Sequence, residues 1–142
     1  VRALGVDLGS RRIGIAVSSG SVASPADTIE RSGDPALDHR RLFALLDEWE
    51  ADLLVIGMPY SLDGSLGPAA ELIAAEVEVL RATTPVPIEI YDERLTTVTA
   101  HRLLREGGVK GRSRRQVVDK VAAAVLLQAW LDSQTSETPK SD

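Results

Sequence analysis

The chain of 142 residues contains no cysteine. Disulfides, thiolate metal sites and a cysteine nucleophile are therefore excluded. The absence suits a reducing compartment, and cytoplasmic location is the default expectation. Aromatic residues are scarce, with one Phe, two Tyr and two Trp, too few for a base-stacking platform. Phe43, Trp49 and Trp130 fall on apolar helical faces and are expected in the core. No apolar run approaches the roughly 20 residues that span a bilayer, and no stretch has the layout of a signal peptide. His39 and His101 are the only histidines; both fall on predicted helices without metal-ligand spacing, and surface roles are expected. The first residue is Val1 and not Met, which leaves room for a short preceding segment.

What is present describes an ordinary globular chain, long enough for one well-formed core and short for two. The net charge of −5 argues against a polyanionic substrate until it is divided along the chain. Residues 26–93 hold four Arg against fifteen acids, a net −11. Residues 94–120 hold eight Lys or Arg against Glu106 and Asp119, a net +6. An acidic protein can thus carry a basic face.

Ala3 to Leu8 alternates with period two, Leu4, Val6 and Leu8 on one side and Ala3, Gly5 and Asp7 on the other. Arg12 to Ser18 alternates again after a polar turn, which predicts a β-hairpin. A short third strand is predicted near Thr28 to Arg31. Asp34 and Pro35 open a helix carrying Leu42, Leu45, Leu46 and Trp49. Leu53 to Ile56 is a continuous apolar run, the pattern of a strand buried on both faces. A helix over Ala69 to Arg81 and a strand over Pro85 to Tyr91 follow. Thr96 starts a third predicted helix that stops at Gly107 and Gly108. Ser113 and Gln116 form a capping box for a final helix ending near Leu131. The order β-β-β-α-β-α-β-α-α implies a mixed sheet flanked by helices. One domain over residues 1–131 and a disordered tail over 132–142 are expected.

Acids inside apolar patterns require an explanation, because an unpartnered buried carboxylate is costly. Asp7 lies mid-strand, Asp92 and Glu93 end a strand, and Asp119 lies among Val117, Val118, Val121 and Ala122. Asp7, Glu93 and Asp119 meet if the last helix packs on the small-residue side of the first hairpin, where Ala3, Gly5, Gly14 and Ala16 lie. In a chain without Cys, such carboxylates suit a hard divalent cation, Mg²⁺ or Mn²⁺. Two such ions support phosphoryl transfer. Close helix–sheet packing alone is the competing explanation for the small residues.

Four blocks then resemble the YqgF/RuvX family. They are Gly5-Val6-Asp7-Leu8-Gly9 running on to Ser18, Gly57-Met58-Pro59 with Asp63-Gly64-Ser65, Asp92-Glu93-Arg94-Leu95-Thr96-Thr97, and Asp119-Lys120-Val121-Ala122-Ala123 with Leu127-Gln128. They occur in the family's order from about Leu4 to Leu131. The resemblance implies a ribonuclease H-like fold with a mixed five-stranded sheet. It implies a bacterial nuclease processing the 5′ end of precursor small-subunit (pre-16S) ribosomal RNA, with Asp7, Glu93 and Asp119 as the catalytic, metal-holding acids. The alternative is a Holliday-junction resolvase acting on branched DNA as a dimer. A non-catalytic nucleic-acid-binding module and a nucleotide-binding fragment of the actin and sugar-kinase type are the other readings. Retention of all three acids opposes the first, and the length of one lobe opposes the second. Ser19 and Ser61 depart from the Asp and Asn usual in the family.

The cations divide into a few groups. Arg11 and Arg12 lie in the first hairpin turn and are expected at phosphate. Arg94 either contacts phosphate or pairs with Asp92. Lys110, Arg112, Arg114 and Arg115 crowd a helix start, where positive charge opposes the macrodipole. Phosphate contact is the better explanation for that cluster.

Overall fold

A computed structural model describes residues 1–96 and 112–137. The elements are β1 (Ala3–Leu8), β2 (Arg12–Ser19), β3 (Val22–Glu30), α1 (Pro35–Glu48), β4 (Leu53–Met58), α2 (Pro68–Thr83), β5 (Ile88–Asp92), a 3₁₀ turn (Glu93–Leu95) and α3 (Arg112–Glu137). The strands form one five-stranded sheet in the order β3-β2-β1-β4-β5. β1–β2 and β2–β3 are antiparallel, whereas β1–β4 and β4–β5 are parallel. The C-terminal ends of β1, β4 and β5 consequently lie together.

Strand alternation sorts two cores onto the two sides of the sheet. Leu4, Val6 and Leu8 of β1, with Leu54, Ile56 and Met58 of β4, pack with Leu42 and Leu46 of α1 and Ile73, Val77 and Leu80 of α2. Ala3 and Ala16, with Leu53 and Val55, pack instead with Ala123, Ala124, Leu127 and Trp130 of α3. The apolar run of β4 is thus buried on both sides, as its lack of alternation predicts. Gln128 fastens α3 to the second hairpin: its Nε2 donates to the Ser21 carbonyl, and its Oε1 accepts from Ala23 N, each at 2.9 Å. Asp34 caps α1 by accepting from Ala36 N at 3.1 Å.

Several expectations need correction. β3 begins at Val22, well before Thr28, and pairs with β2 along its length. Its polar composition and Pro25 hid it. Pro25 sits where the register shifts beside Ala16, and an edge strand with a bulge tolerates a residue lacking N–H. His39 is buried, and its Nε2 lies 2.7 Å from Glu76 Oε2. α3 already includes Arg112, which puts Ser113 inside its first turn and not at the cap. It also continues to Glu137, so residues 132–137 are helical where a disordered tail was expected. The predicted helix from Thr96 to Gly107, with His101 and Lys110, lies outside the described residues.

Candidate active site

The first hairpin pairs Asp7 of β1 with Gly14 of β2. On the other side, β1 pairs Val6 with Ile56 of β4, and the next position in that register sets Asp7 beside Gly57. Asp7 therefore stands between two glycines in one row across the sheet, on the side that receives α3. The missing side chains define what approaches. A Cβ on Gly14 would collide with the backbone carbonyl of Asp119. A Cβ on Gly57 would stand 2.5 Å from Glu93 Oε1. One step along the strand, a Cβ on Gly5 would be 2.7 Å from Leu127 Cβ. The glycines let the helix sit close on the hairpin and let Glu93 fold over the end of β4.

Asp7, Glu93 and Asp119 are 1%, 1% and 2% exposed. The row Gly14–Asp7–Gly57 thus gathers all three acids at one end of the sheet, from a strand, a 3₁₀ turn and a helix. They do not close into a ligand sphere: among the described residues, no group of three His, Cys, Asp or Glu is disposed to hold a metal. Asp119 is turned to Arg12, whose Nε donates to Asp119 Oδ2 at 2.5 Å. This ion pair is nearly enclosed, with side-chain exposures of 12% and 3%. Arg12 thereby places positive charge beside Asp119. The donor set, three buried carboxylates and no sulfur, suits a hard divalent cation.

Arg94 belongs to a different arrangement. Its Nε and Nη2 meet Asp92, the Nη2–Oδ2 contact being 2.6 Å. Its Nη1 donates to the carbonyls of Ser61 and Leu62 at 3.4 and 3.3 Å, and the guanidinium lies 5.5 Å from the Tyr60 ring centroid. The Arg94 hydrogen bond holds the Asp92 carboxyl below its ordinary range, against the opposing effect of burial. Arg94 is paired with Asp92 in this geometry and adds a hold on the loop after β4. That loop is further ordered by Asp63, which accepts from Ser65 N and Oγ. Ser61 contributes its carbonyl here, a contact that does not depend on its side chain.

Arg11 is exposed in the β1–β2 turn. Arg112, Arg114 and Arg115 occupy the start of α3, and Lys110 precedes it outside the described residues. One functional support escaped the sequence reading. Arg31 Nε donates to the Gly9 carbonyl at 2.7 Å and its backbone N to the Arg11 carbonyl at 2.9 Å, pinning the turn that carries Arg11 and Arg12. Glu76 holds Arg31 in place with contacts of 2.9 and 2.8 Å. Burial pushes the Glu76 carboxyl up, yet the hydrogen bonds from Arg31 and His39 outweigh it and leave it below the ordinary value. The only signal in the sequence was a Glu within an otherwise apolar stretch of α2.

Known proteins resemble this chain over most of its length. A protein named "Putative pre-16S rRNA nuclease" from Rhodococcus erythropolis is 45% identical over 94% of this chain and 79% of its own length. One of the same name from Thermoanaerobacter pseudethanolicus is 38% identical over 96% of this chain and all of its own. Among solved structures, Thermus thermophilus RuvC in complex with a Holliday junction substrate aligns with a TM-score of 0.56 over 95% of this chain and 96% of its own, at 14% identity. That likeness establishes the ribonuclease H-like fold. Residues 1–133 match the family model described as "RuvX: Holliday junction resolvase", and the chain belongs to the RuvX family.

Proposed function

We propose that the chain is a metal-dependent nuclease that processes the 5′ end of precursor 16S ribosomal RNA. Asp7, Glu93 and Asp119 would hold Mg²⁺ or Mn²⁺, two ions in the full site. The observation that carries the reading is the row Gly14–Asp7–Gly57, which makes room for two further acids beside a strand carboxylate. The relatives' name supplies the substrate. Bound ions would activate a water and stabilise the leaving oxygen. The chain's own share is positional. β1 fixes Asp7 between two glycines, Gly57 admits the Glu93 carboxylate, and α3 brings Asp119 over Gly14. Arg12 neutralises Asp119 and lies within the same site, where a substrate phosphate would offer it a second partner. Arg11, Lys110, Arg112, Arg114 and Arg115 supply phosphate contacts that fix the strand by shape and charge. Arg94 positions the loop beside Glu93. No described helix is long and apolar enough to cross a membrane, and we place the reaction in the cytoplasm, where ribosomes are assembled.

The family description favours a second reading, resolution of a four-way DNA junction. Cutting two strands symmetrically would require a dimer. Both substrates are tested side by side with Mg²⁺, Mn²⁺ and excess EDTA. The expected result is cleavage of the ribosomal RNA precursor that chelation abolishes. Cleavage of the junction alone would favour the resolvase, and full cleavage in EDTA would overturn the metal site.

A further inference from the structure

Helix α2 is apolar on two sides. Ala70, Ile73, Val77 and Leu80 face inward. Leu72, Ala75 and Val79 form a second stripe at spacings of three and four, and Leu72 and Val79 are 75% and 54% exposed. A surface helix ordinarily presents charge there. The second stripe is one wall of a cleft of about 630 Å³. Pro35 and His39 of α1 form the facing wall, and the turn after β1 and Pro59 close the end. This cleft opens on the side of the sheet that receives Leu8, opposite the side that receives Asp7. Its volume lies in the range of about 300–1,000 Å³ typical of binding clefts.

The cleft is held open in advance. Arg31, His39 and Glu76 line it and bond to one another, joining the end of β3 to α1 and α2. Their charges largely compensate, so they fix the walls and leave the rim to select a partner. Residues 26–93, which include both helices of the cleft together with β4, β5 and Glu93, carry a net −11. Glu71 and Glu78 flank the exposed stripe on α2, Glu78 being 3.8 Å from Arg81.

We propose that the α1–α2 cleft docks a cationic amphipathic segment of a partner protein. Its apolar side chains would enter between Leu72, Val79 and Pro35, and its Lys or Arg side chains would lie along the acidic rim. This is helix-in-groove recognition with charge choosing the partner. The inference does not depend on the carboxylate site.

The test uses the full chain and three probes in calorimetric titrations: a helical Leu/Lys peptide, its Leu/Glu counterpart and a single-stranded RNA oligonucleotide. Binding is expected for the Leu/Lys peptide alone at this cleft. Leu72→Ser and Val79→Ser should each weaken it about tenfold, since each removes apolar area that the complex buries. The double variant Glu71→Lys/Glu78→Lys should also weaken it and flatten its salt dependence. Nuclease activity should be unchanged in all of them, and the melting temperature unchanged in the two Ser variants; the double variant should melt slightly lower, because it places a cation in the first turn of α2 and removes the Glu78–Arg81 contact. Unaltered peptide binding in Leu72→Ser would overturn the proposal, as would equal binding of the Leu/Glu peptide or competition by the RNA. A concentration-dependent dimer abolished by Leu72→Ser would overturn it in favour of a second copy of this chain.

Discussion

The two sides of β1 are built from the same six residues and have opposite character. Leu4, Val6 and Leu8 enter a core of large aliphatic side chains beneath α1 and α2. Ala3, Gly5 and Asp7 meet α3 across Gly14 and Ala16, where the contacts are close and the acids are buried. On the first side, volume is filled by side chains that repel water, and the gain is hydrophobic. On the second, volume is left out so that backbone and carboxylates can approach. The first side accordingly bears most of the stability, and the second spends stability on the site, as functional sites commonly do.

Substitutions on either side should separate these roles. The largest expected effect is on chemistry. Asp7→Asn should lower cleavage by about a thousandfold or more, as loss of a group essential to a catalytic constellation commonly does, while the metal-free protein melts no lower than wild type. Neutralising an acid relieves repulsion among the three. Glu93→Gln should behave alike. Asp119→Asn should gain less, because it also loses the ion pair with Arg12. Ile15→Ala, on the aliphatic side of β2, should do the reverse. It should cost about 2–5 kcal/mol in denaturant titrations and leave the activity of the folded fraction intact. Similar losses of stability in Asp7→Asn and Ile15→Ala would erase the contrast.

A smaller effect is expected at the glycines. Gly14→Ala pushes a methyl group against the Asp119 carbonyl, which is backbone and yields little, at a cost of about 1–3 kcal/mol. Gly57→Ala meets the end of the Glu93 side chain, which can move. It should retain more stability than Gly14→Ala and lose cleavage.

Glu76→Gln should leave chemistry untouched and affect stability alone, in a way that depends on pH. The folded Glu76 carboxyl lies below its ordinary value. Its stabilisation is therefore complete above the unfolded carboxylate range, about pH 4.3, and is lost as pH falls through the folded value. At pH 7 the variant should be less stable by about 1.5–3 kcal/mol, the range for hydrogen bonds to charged groups. The difference from wild type should shrink below about pH 4. Urea titrations at pH 7 and pH 3.5 check this, and an equal difference at both would show that the Glu76 charge is immaterial.

Much of this contrast was legible in the sequence. Period-two alternation placed Asp7 and Leu8 on opposite sides, and the unbroken run of β4 announced burial on both. The resemblance of four blocks indicated the three acids. Gly57 was harder to read, because its role depends on parallel pairing between residues 50 apart in the chain. The ion pair between Arg12 and Asp119 joins residues 107 apart and has no local signature. Arg94 illustrates another limit. Its spacing to Asp92 allowed either a salt bridge or a phosphate contact; the fold shows the salt bridge formed at 2.6 Å, while the added hold on the Ser61 and Leu62 carbonyls had no local signature. β3 was underestimated because an edge strand needs little hydrophobicity and tolerates Pro25.

The most direct test of the carboxylate site is Mn²⁺ binding, measured calorimetrically on the wild-type chain and on Asp7→Asn, Glu93→Gln and Asp119→Asn without nucleic acid. Binding by the wild type that is lost or greatly weakened in each variant is the predicted result. Equal Mn²⁺ affinity in the wild type and all three variants would contradict the assignment.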